Sequence, residues 1–329
     1  MIKKTVFKLS FSGPLHIGKG LGEAYDTTDN ILHSDTLSGF LASIWSMQND
    51  GADVKEFMQQ YRVSSAFPFY QSLFFLPLPV GGGQFLNVTG IEEGKAGKII
   101  KKIEYLPVEL WEILVSGQKL YFDIKRLSPC GKFLFPDTIP AASVYSDELE
   151  QRVTVPRVGE AVSVPFYFER RFFSKDSGLY FFCETSDQKS DEIEKLLKVG
   201  ENIGIGTDKS VGNGHYKVER YTITFNNVIS GGNGFQLLSL YCPGKKEIEN
   251  VQMNRNDYLL IKRGGFIAGT TKDEFRHLRK KSLFMFTEGS LFRTHEPEGK
   301  IENVRPEWND ANLHPVFRDG RAFYLPVKL

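Results

Sequence analysis

The chain has 329 residues, of which 41% are apolar and 25% charged, and a formal net charge of +1. This is the balance of a soluble globular protein with one large domain or two ordinary ones. It excludes attraction of nucleic acid by overall charge, so any such attraction must come from local patches. No apolar run approaches membrane-spanning length, and the basic N-terminus lacks the apolar core of a signal peptide. Cys130, Cys183 and Cys242 are odd in number, lie far apart and form no Cys-x-x-Cys pair. Reduced thiols in a cytoplasmic protein are expected, without a zinc or redox centre.

The 27 Phe and 13 Tyr favour sheet. Residues 5–11 alternate, with Phe7, Leu9 and Phe11 on one face, and predict a half-buried first strand. Gly13-Pro14-Leu15-His16-Ile17-Gly18-Lys19-Gly20 follows. It approaches the phosphate-binding G-x-x-x-x-G-K-[ST] pattern, but Gly20 replaces the hydroxyl residue and the glycines forbid an immediate helix, so no nucleotide site is expected. A helix opens near His33-Ser34-Asp35-Thr36, with Ser34 or Asp35 as cap and a stripe of Leu37, Phe40, Leu41, Ile44 and Trp45. A short helix over 53–61, strand over 63–80, an exposed glycine-rich loop or hairpin from Gly81 to Lys102, and a helix over 107–115 come next.

Residues 126–160 are proline-bearing and aperiodic, and predict a protruding arm. Strands over 164–173 and 178–183 read as a hairpin through Ser174–Ser177. A helix over 190–199, capped by Ser190, leads into Gly204–His215, which holds four glycines, and then a strand over 216–225. Glycines without a Cβ let backbone amides approach an anion. The loop is therefore either a phosphate clamp or a plain tight connection. Strands over 234–241, 258–263, 282–287 and 322–327, with a basic helix from the Thr271-Lys272-Asp273-Glu274 box to Lys281, form a second unit. The fold class is α+β, two ferredoxin-like (RRM-like) domains in tandem with insertions, spanning 1–228 and 229–329, with 226–233 as the linker.

The motifs together identify a family. Pro14-Leu15-His16-Ile17-Gly18 leading to His33-Ser34-Asp35-Thr36-Leu37, the 204–214 loop, Arg263-Gly264-Gly265-Phe266, Phe286-Thr287-Glu288-Gly289-Ser290 and His314-Pro315-Val316 resemble the RAMP superfamily of CRISPR proteins. More narrowly, they resemble the type III-A subunit that caps the 5′ end of the guide RNA. The chain departs from the family pattern at Thr207, Lys209 and Asn213, where glycine, arginine and an aromatic are common.

The resemblance implies a non-catalytic subunit without cofactor or metal. It implies contact with the guide-RNA 5′ tag, with a large polymerase/cyclase-like subunit and with backbone RAMP subunits. It also suggests that the arm at 126–160 is a thumb hairpin. The expected RNA-binding residues are His16, Gly18, Lys19, Ser34, Gly206, Lys209, Ser210, Gly212, Asn213, Gly214, His215, Arg263 and Arg279. Two other readings stay open on the residues: a metal-independent ribonuclease using His16 and His33 as acid and base, and a scaffold that touches only protein. Six histidines without clustered ligand spacing argue against a metal site.

Overall fold

The computed structural model describes residues 1–19, 27–92, 94–154, 164–226, 232–251, 257–267, 273–293, 295–308 and 310–329. The first unit runs β1 (Ile2–Phe11), α1 (Ser34–Gln48), α2 (Val54–Gln59), β2 (Phe67–Tyr70), β3 (Leu73–Pro77), β4 (Tyr105–Pro107) and α3 (Val108–Val115). It continues through β5 (Tyr145–Thr154), β6 (Val164–Phe173), β7 (Ser177–Glu184), α4 (Asp187–Ile203) and β8 (Tyr216–Phe225). The main sheet has the order β8-β1-β7-β2-β3-β4, with every neighbour antiparallel. Its segment β8-β1-β7-β2 is the strand order 4-1-3-2 of a ferredoxin-like unit, with α1 and α4 as the two helices.

Side-chain alternation decides what each face of this sheet meets. Phe7 and Leu9 of β1 face the helices and pack with Leu37, Leu41 and Ile44 of α1 and with Ile193, Leu196 and Leu197 of α4. Val6 faces the opposite side and joins a second cluster with Phe67, Tyr180, Phe182 and Phe225. β7 is central because seven of its eight residues are buried.

The second unit runs β9 (Gly234–Leu237), α5 (Lys245–Asn250), β10 (Leu260–Arg263), β11 (Leu283–Phe286), β12 (Leu291–Phe292), β13 (Gly299–Asn303), β14 (Phe317–Arg321) and β15 (Tyr324–Val327). β9 lies between β12 and β15, while β10 pairs with β11. The amides of Tyr241 and Phe286 each bond the other's carbonyl, at 3.0 and 2.9 Å. Across these bonds the strand order is again 4-1-3-2. The helices are much reduced: α5 has six residues, and a β13–β14 hairpin stands where the second helix would be.

The two units share one core. Leu238, Leu291, Phe323, Leu325 and Val327 lie in the same cluster as Val6, Phe182 and Phe225, and Phe323 stacks on Phe182 at 5.4 Å. Trp111 Nε1 donates to Gln236 Oε1 at 2.9 Å, and Gln236 Nε2 donates to the Pro77 carbonyl at 2.8 Å. The outer sheet face that an RRM leaves open is therefore covered by the second unit and by the insertion between β3 and β5.

Several expectations are corrected. The strand over 164–173 does not pair with the one after it. β6 pairs along its whole length with β5, from Tyr145↔Phe173 to Thr154↔Val164, because the apolar β7 belongs in the sheet. The projecting hairpin thus begins at 145, whereas the arm was expected from 126. Residues before it are packed inside, with Phe133, Leu134 and Phe135 all buried.

The glycine-rich span after Gly81 is not an open loop, since Leu86–Thr89 pairs in parallel with Leu120–Asp123. α4 starts earlier than expected because Ser186, not Ser190, caps it, accepting from the Lys189 amide. Neither Ser34 nor Asp35 caps α1. His33 holds that position without a side-chain bond to the helix. Thr271 and Lys272 of the basic helix, and most of the linker, lie outside the described residues. Asp273–Phe275 is one 3-10 turn, and Arg279 then bridges to Phe266, so the helix to Lys281 does not form. Phe275 and Leu278 instead turn into a small core with Ile267 and Leu313.

Truncation of a buried aromatic costs about 3–5 kcal/mol. Phe323→Ala is expected to lower unfolding stability by about that amount and to speed amide exchange in β1, β7 and β8 as well as in β15. Faster exchange confined to β15 would show that the two units have separate cores.

Candidate nucleic-acid interface

The two glycine-rich loops are zipped together by backbone bonds. Ser12 N donates to the His215 carbonyl at 3.1 Å, Gly214 N to Pro14 O at 2.8 Å and Thr207 N to His16 O at 3.0 Å. This contact follows from the sheet, because β1 and β8 are neighbours and Phe11 pairs with Tyr216 at the end where the first loop begins and the second ends. The glycines permit the approach. A Cβ on Gly214 (φ +74°) would lie 1.8 Å from the Ile205 carbonyl oxygen, and one on Gly206 (φ +95°) 2.4 Å from that of His16. Both demand glycine for space and for backbone conformation. Gly18 is less confined, its Cβ position lying 3.2 Å from the Thr207 methyl.

The base of the β5–β6 hairpin closes onto the same junction. The His16 ring nitrogen Nδ1 donates to the Glu169 carbonyl at 2.6 Å, and its ring stacks on Phe168 at 4.3 Å. The Arg152 guanidinium lies 4.4 Å from the centre of that Phe168 ring and 3.7 Å from the Asp208 carboxylate in the glycine loop. Leu15 and Arg171 exchange backbone bonds, both 2.8 Å. Arg171 is buried, grips Asp147 through two nitrogens at 2.7 and 2.8 Å and donates to Asn30 O at 2.8 Å. Further out, the hairpin exposes Leu149, Val153, Phe166 and Tyr167, with no core to receive them.

The expected residues therefore divide. Lys19, Lys209, Ser210, Gly212 and His215 lie at the surface or half-buried around the zipped loops. Lys209 lies over the Phe40 ring at 5.8 Å, and burial lowers its pKa. His16 is 1% exposed and serves as the pin between loop and hairpin. Asn213 is fully buried, turned inward between the left-handed Gly212 and Gly214, so it offers no stacking or base-edge surface here. The loop is not an open anion nest either, because the amides of Ile205, Thr207, Val211, Gly212 and Gly214 already donate within the protein. Sequence reasoning missed Arg152, Phe168 and Asp208. The alternation over 164–173 separates Phe168 from Glu169, but only the β5 pairing reveals what Phe168 meets.

Ser34 and Arg263 belong to a different place, a buried ionic network between the units. Ser34 Oγ accepts from Leu240 N at 3.0 Å. Asp35 accepts from Arg263 Nε at 3.1 Å and Nη2 at 2.9 Å, and also from Arg318. Burial opposes its charge, but the two guanidinium groups hold its pKa well below the carboxylate range. His33 Nδ1 lies 2.8 Å from Glu288 Oε1, and its Nε2 is 3.4 Å from Asp29. Burial disfavours the imidazolium, yet Glu288 and Asp29 outweigh it and raise the pKa to about 9. Lys280 sits at the margin, its pKa brought down to about 8 by burial and by Arg318. Arg279 is exposed and lies over Phe266 at 5.1 Å. His16 and His33 are both buried and held in separate contacts. Among the described residues, no three His, Cys, Asp or Glu side chains gather as metal ligands.

Two sheets of 4-1-3-2 order, a glycine-rich loop after the second helix of the first, and a hairpin inserted before its third strand define a protein of two ferredoxin-like units in tandem, the α+β fold that the RAMP resemblance implies. The particular likeness is to Csm4. Residues 230–327 match the family model described as the CRISPR Csm4 C-terminal domain. The chain is 26% identical over 310 residues to the CRISPR system Cms protein Csm4 of Thermococcus onnurineus (strain NA1), covering 91% of this chain and 93% of that protein. Among solved structures, a Csm3–Csm4 subcomplex of the type III-A CRISPR-Cas interference complex contains a similar chain. Its TM-score is 0.68 at 19% identity, covering 100% of both chains. A Csm1–Csm4 cassette in complex with cA4 contains another, with a TM-score of 0.64 at 19% identity, covering 100% of this chain and 99% of that one. The resemblance carried by the sequence motifs is borne out.

Gly206→Ala and Gly214→Ala are each expected to lower the melting temperature clearly more than Gly212→Ala. Gly212 shares the left-handed conformation but has open space at its Cβ, so only the conformational penalty of about 1–2 kcal/mol applies there.

The network also gives stability a defined pH window. A histidine raised to about 9 contributes fully below its unfolded value near 6.5 and loses that contribution as pH climbs to about 9. The lowered carboxylates contribute above about pH 4 and lose it in acid. Melting temperature should therefore fall between pH 6.5 and 8, above which release of the buried Lys280 proton offsets the decline, and His33→Gln should flatten that limb. An equally steep alkaline limb in the variant would dissociate it from His33.

Proposed function

We propose that this chain is a non-catalytic, RNA-holding subunit of a type III-A CRISPR interference complex. The observation that carries this is the junction of two glycine-rich loops with the base of a projecting hairpin, around which Lys19, Lys209 and Ser210 are presented. Phosphate contacts from these side chains would hold the 5′ tag of the guide RNA in register without reading its sequence. The tightness of the zipped backbone supports a positioning role, since cationic side chains fixed on a rigid turn lose little freedom on binding. Val211, 61% exposed at the tip of the loop, adds an apolar surface beside them. His215 lies behind, its Nδ1 bonded to the Glu201 carbonyl at 3.2 Å, and steadies the loop.

The structural relatives come from Csm1–Csm4 and Csm3–Csm4 complexes. That supports two protein neighbours here, the large polymerase/cyclase-like subunit on one side and a backbone RAMP subunit on the other. The exposed apolar row of the thumb, Leu149, Val153 and Tyr167, suits insertion between a partner and the guide. No helix among the described residues is long and apolar enough to cross a membrane.

Charge reversal at Lys19 and Lys209 together is expected to weaken retention of guide RNA in the assembled complex. The loss should appear as a shallower salt dependence, by about 0.7 in log–log slope for each phosphate contact removed from a single strand. Unchanged retention and slope, with the complex intact, would overturn the RNA-holding role in favour of a subunit that touches only protein.

A further inference from the structure

The C-terminal unit carries a second surface of a different kind, independent of the glycine loops. An open cleft of about 420 Å³ is lined by Lys281, Asn303, Arg305, Pro306, Glu307 and Trp308. The chain has three tryptophans. Trp111 is fully buried and Trp45 is stacked on Phe57 at 4.5 Å, but Trp308 is 48% exposed. Trp308 thus presents a flat indole face to solvent in the same cleft as the charged side chains of Lys281 and Arg305.

The walls of the cleft are held firmly. Lys281 N donates to the Val304 carbonyl at 2.9 Å. The Asn303 side-chain oxygen accepts from Arg305 N at 3.1 Å and from Val316 N at 3.3 Å. Arg305 Nη2 donates to the Asp310 carbonyl at 2.9 Å. Val316 in turn packs against the small core of Ile267, Phe275, Leu278 and Leu313. His277 meets the Trp308 ring edge-on at 6.4 Å.

We propose that this cleft is a binding site for single-stranded nucleic acid, with one base stacked on Trp308 and its phosphates met by Lys281 and Arg305. Its chemistry selects this ligand. Apolar lining is confined to Trp308 and Pro306, too little for a protein hot spot, whereas an aromatic face flanked by cations is what an unpaired nucleotide recognises. The opposing charge is easily displaced. Glu307 pairs with Lys281 at 3.1 Å, but its side chain is 90% exposed and free to swing outward. Arg279 over the 40%-exposed Phe266 continues the same pattern on the adjoining segment, where Lys280 N bonds Gly265 O at 2.9 Å.

The test is titration of the full chain with a 3′-labelled oligouridylate on the order of ten nucleotides long. Anisotropy of the label reports binding, and tryptophan emission reports stacking. Trp308→Ala is expected to weaken binding about tenfold. Trp308→Phe should keep most of the affinity while losing most of the emission change, because the stacking face survives and the reporter does not. Lys281→Glu with Arg305→Glu should weaken binding by at least as much as Trp308→Ala. Both effects should persist when Lys19 and Lys209 are also reversed, which separates this cleft from the glycine-loop face. Affinity unchanged in both Trp308→Ala and the Lys281/Arg305 double variant would overturn the proposal. If those variants instead lost only a protein neighbour from the assembled complex, the cleft would be a protein contact and the proposal would likewise fall.

Discussion

Asp35 sits at the start of α1 in the first half of the chain and holds two guanidinium groups from the second, those of Arg263 and Arg318. Beside it the His33 imidazolium is paired with Glu288, again across the halves. Buried charges of this kind add little net stability, since desolvation offsets much of their attraction, but an unpartnered member is strongly destabilising, by about 3–5 kcal/mol. Their effect is therefore on register. Any sliding of one unit over the other would strand a carboxylate or a guanidinium in the interior. The hydrophobic core that the units share supplies the driving force, and the ionic network fixes the single orientation in which that core can be closed.

This orientation has a direct consequence for where RNA could be held. In an open RRM-like sheet the strand face is the platform for bases. Here that face is filled by Phe323, Leu325 and Val327 from the second unit and by Phe75, Phe133 and Phe135 from the first. On the proposed function, RNA would be held instead at the loops that follow β1 and precede β8, beside the hairpin raised above them. The sandwich of His16, Phe168 and Arg152 joins loop and hairpin into one rigid body, so the two cannot move apart without opening a stacked contact in a buried place.

Much of the fold was legible. The alternation in β1, the stripe of α1 and the glycine loop before β8 were sufficient to order the first ferredoxin-like unit, because each reflects local periodicity. The pairing of β6 with β5 was not legible, since both candidate partners are adjacent in sequence and only burial of β7 decides between them. The second unit was read with a helix from 271 to 281 because charge and capping residues suggested one. Phe275 and Leu278 are three apart and serve a turn as well as they serve a helix. The family motifs were correctly singled out, but several have another use. His33, Asp35, Arg263 and Glu288 join the units rather than face a ligand, and a sequence cannot distinguish a cation that meets phosphate from one that meets a carboxylate far along the chain.

The closure of the first sheet by the last strand also dictates an order of events during synthesis. β1, β7 and β8 are complete long before Phe323, Leu325 and Val327 emerge to cover Val6, Phe182 and Phe225. Until then a nascent chain carries an apolar sheet face in contact with water, the kind of surface that aggregates or recruits chaperones. Folding of the first unit is thus tied to the emergence of Phe323, Leu325 and Val327. A ribosome stalled in the second unit would release a chain whose first unit has its secondary structure but no cover for its core.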